Sequence, residues 1–331
     1  MVNALMQRVK PQPLPSGSFL SVVAPSSQVN AAWLREGEKK LGRFGYSLAY
    51  SKQVLASHRF WAGTDKERAQ DFLDELDRTD TTGIWCARGG YGATRILEAL
   101  DQAQVPDRLR ANPKLLIGYS DITALHLYFW KAARVPALHA PLMATPSWLN
   151  MKRPAAEAMF RLWTGNAELG KKSHTAKWAT KHLGPKREAE GILLGGNLAV
   201  LCALVGTPWQ PDLTDTLLFL EDCNEAPYRI DRMLTQLHAS GALRGVRGLL
   251  AGDLSQDVPL ALQKKVSWKQ VLQDRFSPLG IPVVIGLPVG HGKKNEALPL
   301  GIQGRITRSG KLEILEQLVA ESGEFASGAS Y

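Results

Sequence analysis

The feature that most limits the fold is a repeated order of strand, tight turn and helix. Residues 81–100, TTGIWCARGGYGATRILEAL, pass from an apolar, β-branched stretch through a glycine turn into an amphipathic stretch. Residues 112–133, NPKLLIGYSDITALHLYFWKAA, do the same through a serine turn. Ahead of both, SFLSVVAPSS reads as a strand, and NAAWLREGEKKLGRFGY as a helix with Ala32, Leu34, Leu41 and Phe44 on one face. Such alternation predicts an α/β fold with a doubly wound parallel sheet, helices on both faces and ligands at the carboxyl ends of the strands. The glycine turn and the serine turn both fall at that end.

After Pro146 the texture changes. Residues 151–190 carry nine Lys and Arg against four acids, a surplus of five within a chain of formal charge +9, and their periodicity is weak. We read them as a basic connector. From Glu190 onward GILLGGNLAVLCALVGTPWQP, DTLLFLEDCNEAPYRIDRMLTQL, GVRGLLAGDL, PVVIGLPVGHG and GRITRSGKLEIL are mostly strands with a few helices, so a second, mixed β/α domain is predicted. The expected division of the 331 residues is a flexible N-terminal tail over 1–16, an α/β domain over 17–150, the connector over 151–188, a β/α domain over 189–320 and a tail over 321–331.

With 44% apolar and 21% charged residues, the composition is that of a soluble globular protein, and no run approaches the roughly 18 apolar residues of a membrane span. No secretion signal is read at the N-terminus. Cys86, Cys202 and Cys223 are odd in number and far apart, which supports neither disulfides nor a metal site and fits a cytoplasmic location. The positive charge suits an acidic small substrate; a nucleic-acid or acidic-peptide binder without catalysis is the competing class. We expect no nucleic acid, membrane, metal or cofactor.

Ser120 at the exit of LLIGYSD can cap a helix, hold a phosphate or act as a nucleophile. Gly89, Gly90 and Gly92 of CARGGYGATR match neither a dinucleotide nor a phosphate loop, which leaves oxyanion binding as their strong use. Among seven histidines, His126 reads as packed, whereas His291 stands between Gly290 and Gly292 just past an apparent strand. Glu221 and Asp222 end the apolar run LLFLED; Asp222 or Glu225 can cap the helix near Pro227, and Glu221 lies further from it. The order Ser120, Glu221, His291 is that of α/β-hydrolases, but their Gly-x-Ser-x-Gly elbow is missing, with Ile122 two positions after the serine.

The blocks CARGGYGATRIL, GYSDITALH, GILLGGNLAVL, FLEDCNEAPYRIDRMLTQL and GHGKKNEALPLG, in order over about residues 17–318, resemble the LD-carboxypeptidase family of serine peptidases. The resemblance implies an N-terminal domain like flavodoxin or glutamine amidotransferases, a C-terminal swivelling mixed β/α domain and a homodimer. It puts the nucleophile at Ser120, the triad acid at Glu221 and the base at His291. The oxyanion donors would be the backbone N–H of Asp121 and of Gly89 or Gly90. Arg88 and Asn197 are substrate-binding candidates. The implied reaction releases D-alanine from murein tetrapeptide in peptidoglycan recycling. The alternative within the family is a microcin C immunity-type peptidase cleaving a peptidyl or aminoacyl adenylate, with Trp148, Trp163 or Trp178 stacking on the base, unless these are packing residues.

Overall fold

The computed structural model describes residues 7–165, 174–175, 178–254, 258–259, 261 and 266–321. The first half folds as β1 (Phe19–Val23), α1 (Ala31–Gly42), β2 (Ser47–Ala49), α2 (Asp65–Asp77), β3 (Gly83–Cys86), α3 (Ala93–Gln102), α4 (Val105–Ala111), β4 (Leu115–Gly118), α5 (Thr123–Ala133) and β5 (Ala137–His139). The five strands are parallel in the order β2-β1-β3-β4-β5, the doubly wound order whose switch point lies between β1 and β3. Local signals set the helix starts: Asn30 accepts from the N–H groups of Ala32 and Trp33, and Thr64 with Glu67 forms a reciprocal capping box.

The chain continues through α6 (Pro146–Leu149), α7 (Arg153–Trp163), β6 (His174–Thr175), β7 (Lys181–His182), β8 (Ala189–Asn197), α8 (Leu198–Leu204), β9 (Thr216–Glu221), α9 (Pro227–Ala239), β10 (Gly248–Ala251), α10 (Trp268–Phe276), β11 (Val283–Ile285), β12 (Leu298–Leu300), β13 (Gln303–Ile306) and β14 (Leu312–Ile314). A second sheet has the order β6-β14-β13-β8-β9-β10-β11-β7, parallel from β8 to β11 and antiparallel outside them. The fold is therefore α/β with one mostly parallel and one mixed sheet, as the alternation predicts. Strands β4 and β9 are buried along their whole length, which is why LLIG and TLLFLE read as continuous apolar runs. Alternate residues feed opposite layers: Leu116, Leu194 and Leu218 pack in one core, and Ile117, Leu193 and Phe219 in the other.

Three expectations need correction. Residues 7–16 are not a loose tail, because Val9, Gln12 and Leu14 donate backbone hydrogen bonds to Arg134, Pro113 and Trp163, and Leu14 is fully buried. The start of the basic connector is the helix α7, whose Ala156, Met159, Phe160 and Trp163 are buried at helical spacing, with Arg153, Glu157 and Arg161 on the outer face. The third correction concerns β12, which pairs antiparallel with β5 and so returns the chain to the first sheet. Nearly all of the tail over 321–331 lies outside the described residues. Among the described residues, no helix is long and apolar enough to cross a membrane.

Two glycines at the end of β8 permit close approaches, one to the neighbouring strand and one to α5. Gly195 has φ +132°, and a Cβ there would strike the Phe219 carbonyl of the neighbouring strand; Gly196 has φ +140° and faces Thr123 at the start of α5. Replacing Gly195 by alanine is expected to destabilise the protein by roughly 2–5 kcal/mol, because dihedral strain and overpacking act together. Urea unfolding of this variant at the parent midpoint would refute the argument.

Candidate active site

The strands β1, β3 and β4 end nearly level, since Val23 pairs with Cys86 and Trp85 with Ile117. Their exits therefore lie side by side. Ser120 stands on the exit of β4 with φ +65°, a left-handed conformation that costs a non-glycine residue roughly 1–3 kcal/mol. It caps no helix: Tyr119 is the N-cap of the short 3-10 turn Ser120–Ile122, Ile122 is that of α5, and neither position has a side-chain cap bond. The turn is thus as sharp as a nucleophile elbow although its sequence is not Gly-x-Ser-x-Gly.

The Ser120 Oγ lies 3.1 Å from His291 Nε2, and His291 Nδ1 lies 2.6 Å from Glu221 Oε2. Glu221 is fully buried at the end of β9, and the same oxygen accepts the His291 backbone N–H at 3.0 Å. Gly290 has φ +102°, and any side chain there would collide with the Glu221 carboxylate. Its N–H donates to Asn295 Oδ1 at 3.0 Å, closing the loop that carries His291. That loop spans the segment between β11 of the second sheet and β12 of the first, so the crossing of the chain carries the histidine to Ser120. Burial is the largest single influence and pushes the imidazole down, but the Glu221 carboxylate, together with Cys223 and Tyr119, outweighs it and holds His291 above its ordinary value. The Tyr119 ring lies 4.8 Å from the His291 ring, centroid to centroid.

The glycine turn after β3 faces the serine. A Cβ at Gly89 would come within 2.9 Å of Ser120 Cβ and 3.1 Å of its Oγ, so residue 89 must lack a side chain for the serine to be reached. Gly90, with φ +101°, faces Ser27 instead and shapes the turn. Asp121 follows Ser120 in the first helical turn, where backbone N–H groups have no intrahelical acceptor.

Other candidates lie at different depths. Arg88 is exposed and donates to the Gln28 carbonyl at 2.8 Å. Asn197 is buried: its amide donates to Asp222 Oδ1 at 2.9 Å, its Oδ1 accepts the Val200 N–H, and its own N–H donates to Thr123 Oγ1. These bonds join β8, β9 and α5. Asp222 does not cap the helix at Pro227; it accepts from Ala199 at the start of α8 and from Cys223. Glu225 pairs with Arg229 instead. Burial, with Glu221 beside it, raises the Asp222 carboxyl to about 6. His126 is packed as expected, and burial lowers it to about 3. Sequence reading missed Ser26, Ser27, Arg68 and Thr123, which tie the turns together from elsewhere in the chain.

A serine on a strained strand exit, a histidine against its hydroxyl and a buried carboxylate behind the histidine form the constellation of a serine hydrolase. Family models for the LD-carboxypeptidase N-terminal and C-terminal domains match residues 20–140 and 190–306. A probable murein peptide carboxypeptidase of Bacillus subtilis is 32% identical over 94% of this chain and 96% of its own. The chain belongs to the LD-carboxypeptidase family and is a hydrolase of the serine type. Among solved structures, a muramoyltetrapeptide carboxypeptidase from Oxalobacter formigenes is similar with a TM-score of 0.76 and 29% identity, over 90% of this chain and 98% of that one. The microcin C7 self-immunity protein MccF shares the fold with a TM-score of 0.84 at 24% identity, over 94% of this chain and 99% of that one.

Proposed function

We propose that this protein hydrolyses the amide joining an L-configured centre to a terminal D-alanine in murein tetrapeptide, as a cytoplasmic step of peptidoglycan recycling carried out by a homodimer. The observation that carries the reading is the continuous chain from Ser120 Oγ through His291 to the buried Glu221 carboxylate. His291 takes the Ser120 proton as the oxygen attacks the scissile carbonyl, and the backbone N–H groups of Asp121 and Gly89 receive the developing oxyanion. The tetrahedral adduct collapses as His291 returns the proton to the departing D-alanine amine. Water, deprotonated by the same imidazole, then releases the tripeptide and restores the serine. On this reading Arg88, exposed beside Gly89, attracts the acidic peptide, whereas Asn197 serves the site by holding Asp222 and the start of α5.

The adenylate-cleaving alternative requires an aromatic side chain free to stack on a base. Trp148 and Trp163 are fully buried in the core, with rings 5.0 and 5.7 Å from that of Trp85. Trp178, partly exposed, donates to Glu296 at 2.7 Å. None of these three tryptophans is therefore a free stacking platform, which supports the murein reading over the adenylate one as far as they are concerned. Hydrolysis of murein tetrapeptide and of an aminoacyl sulfamoyl adenosine, measured side by side, is expected to give D-alanine release with no cleavage of the nucleoside conjugate. The opposite preference would reverse the assignment.

A further inference from the structure

The side chain of Asp121 has a task that the nucleophile and its oxyanion donors do not explain. The residue follows Ser120, yet its carboxylate is buried and turned toward the glycine turn. Oδ2 accepts from Ser26 Oγ at 2.6 Å, on the exit of β1, and from the Ala93 N–H at 2.7 Å, at the start of α3. The N-cap of α3 is Gly92, with φ +132° and no side chain to offer, so Asp121 caps this helix from the turn that follows another strand. Beside it the buried guanidinium of Arg68 donates to the Gly92 carbonyl at 2.9 Å and to that of Pro25. Ser27 completes the clamp: its N–H donates to Gly89 O at 3.1 Å, and its hydroxyl accepts the Tyr91 N–H at 3.2 Å. Burial pushes the Asp121 carboxyl up, and the donors of Ser26 and Ala93 oppose this.

Every one of these bonds bears on where the Gly89–Gly92 turn sits relative to Ser120. We propose that the Asp121 carboxylate is a positioning residue for the oxyanion site: it supplies one donor through its backbone and sets the place of the other through its side chain. Both donors must face one oxygen, and a shift on the order of 1 Å costs a reacting geometry about a hundredfold. The tight approach of Gly89 to Ser120 leaves little slack for such a shift. This inference rests on the hydrolase reading with Ser120 as nucleophile.

The test is steady-state kinetics of D-alanine release on the full chain, alongside thermal unfolding. Asp121→Ala is expected to lower kcat about a hundredfold, comparable to losing one oxyanion donor, with KM within about threefold of the parent. Asp121→Asn should recover most of that loss, because an amide oxygen at the Oδ2 position still accepts from Ser26 and Ala93. Ser26→Ala removes only one of the two donors and should lower kcat by about five- to tenfold. It carries the test if Asp121→Ala does not fold. A cap that serves stability alone would lower Tm and leave kcat per folded molecule unchanged in all three variants, and that result would overturn the proposal. Its failure is separable from failure of the hydrolase reading: a Ser120→Ala variant that still released D-alanine would remove the reading itself, whatever Asp121 does.

Discussion

Replacing Ser120 by alanine is expected to silence D-alanine release, with kcat lower by about 10⁴–10⁶, the range seen when the nucleophile of an acyl-enzyme mechanism is removed. The fold should survive. The Oγ of Ser120 bonds to His291 and caps neither the 3-10 turn nor α5. The left-handed φ of +65° strains alanine about as much as serine, so the backbone term cancels between parent and variant. Losing one partly buried hydrogen bond costs about 1 kcal/mol, which for a chain of this size moves Tm by only a few degrees. The measurement pairs a D-alanine release assay with thermal unfolding. Release at more than about a hundredth of the parent rate, from a variant that unfolds like the parent, would rule out Ser120 as the nucleophile.

The first sheet was legible because its units are local. In β1, β3 and β4 an apolar run is followed within a few residues by its turn and helix, and that order determines a parallel sheet. The residues of the serine, histidine and glutamate chain were legible one by one, as a strand-exit serine, a glycine-flanked histidine and a carboxylate closing an apolar strand. Their meeting was legible only through the family resemblance and not from local pattern, because it depends on β12. That strand is three residues, Leu298–Leu300, with Pro299 at its centre; proline lacks the N–H for an interior ladder and is tolerated here because β12 is the edge of the sheet. Nothing local marks such a segment as a strand, let alone as a member of the first sheet. The α7 residues Ala156, Met159, Phe160 and Trp163 did carry a helical period, hidden behind a composition that reads as linker. Asp222 was misplaced for a different reason. Adjacent strands set its partners, since Asn197 and Glu221 are paired across β8 and β9, and no spacing within one segment encodes that register.

The Glu221→Gln variant tests how the buried carboxylate acts on its neighbour. In the parent, Glu221 holds His291 above the ordinary imidazole value of about 6.5, although burial alone pulls the ring down. A histidine that takes a proton from Ser120 must first be neutral at Nε2. The acid limb of kcat/KM therefore lies above about pH 6.5, and activity climbs into the alkaline range. In the variant burial acts without the carboxylate, opposed only by Cys223 and Tyr119, so the limb moves to lower pH, while the plateau falls by about 10³–10⁴ because the imidazolium formed during attack loses its counter-charge and the ring its fixed tautomer. The stability effect has its own sign. A raised histidine contributes stability that is fully present below its unfolded value and is lost as pH rises through the folded one. The gap in unfolding free energy between parent and variant should thus be wider at pH 6 than at pH 10, as read by urea unfolding at both. The two readouts are tied to one cause, the charge on Glu221, and must move together. A lower plateau with an unmoved acid limb would mean that Glu221 only holds the loop in place through the His291 backbone N–H, the second bond its Oε2 accepts.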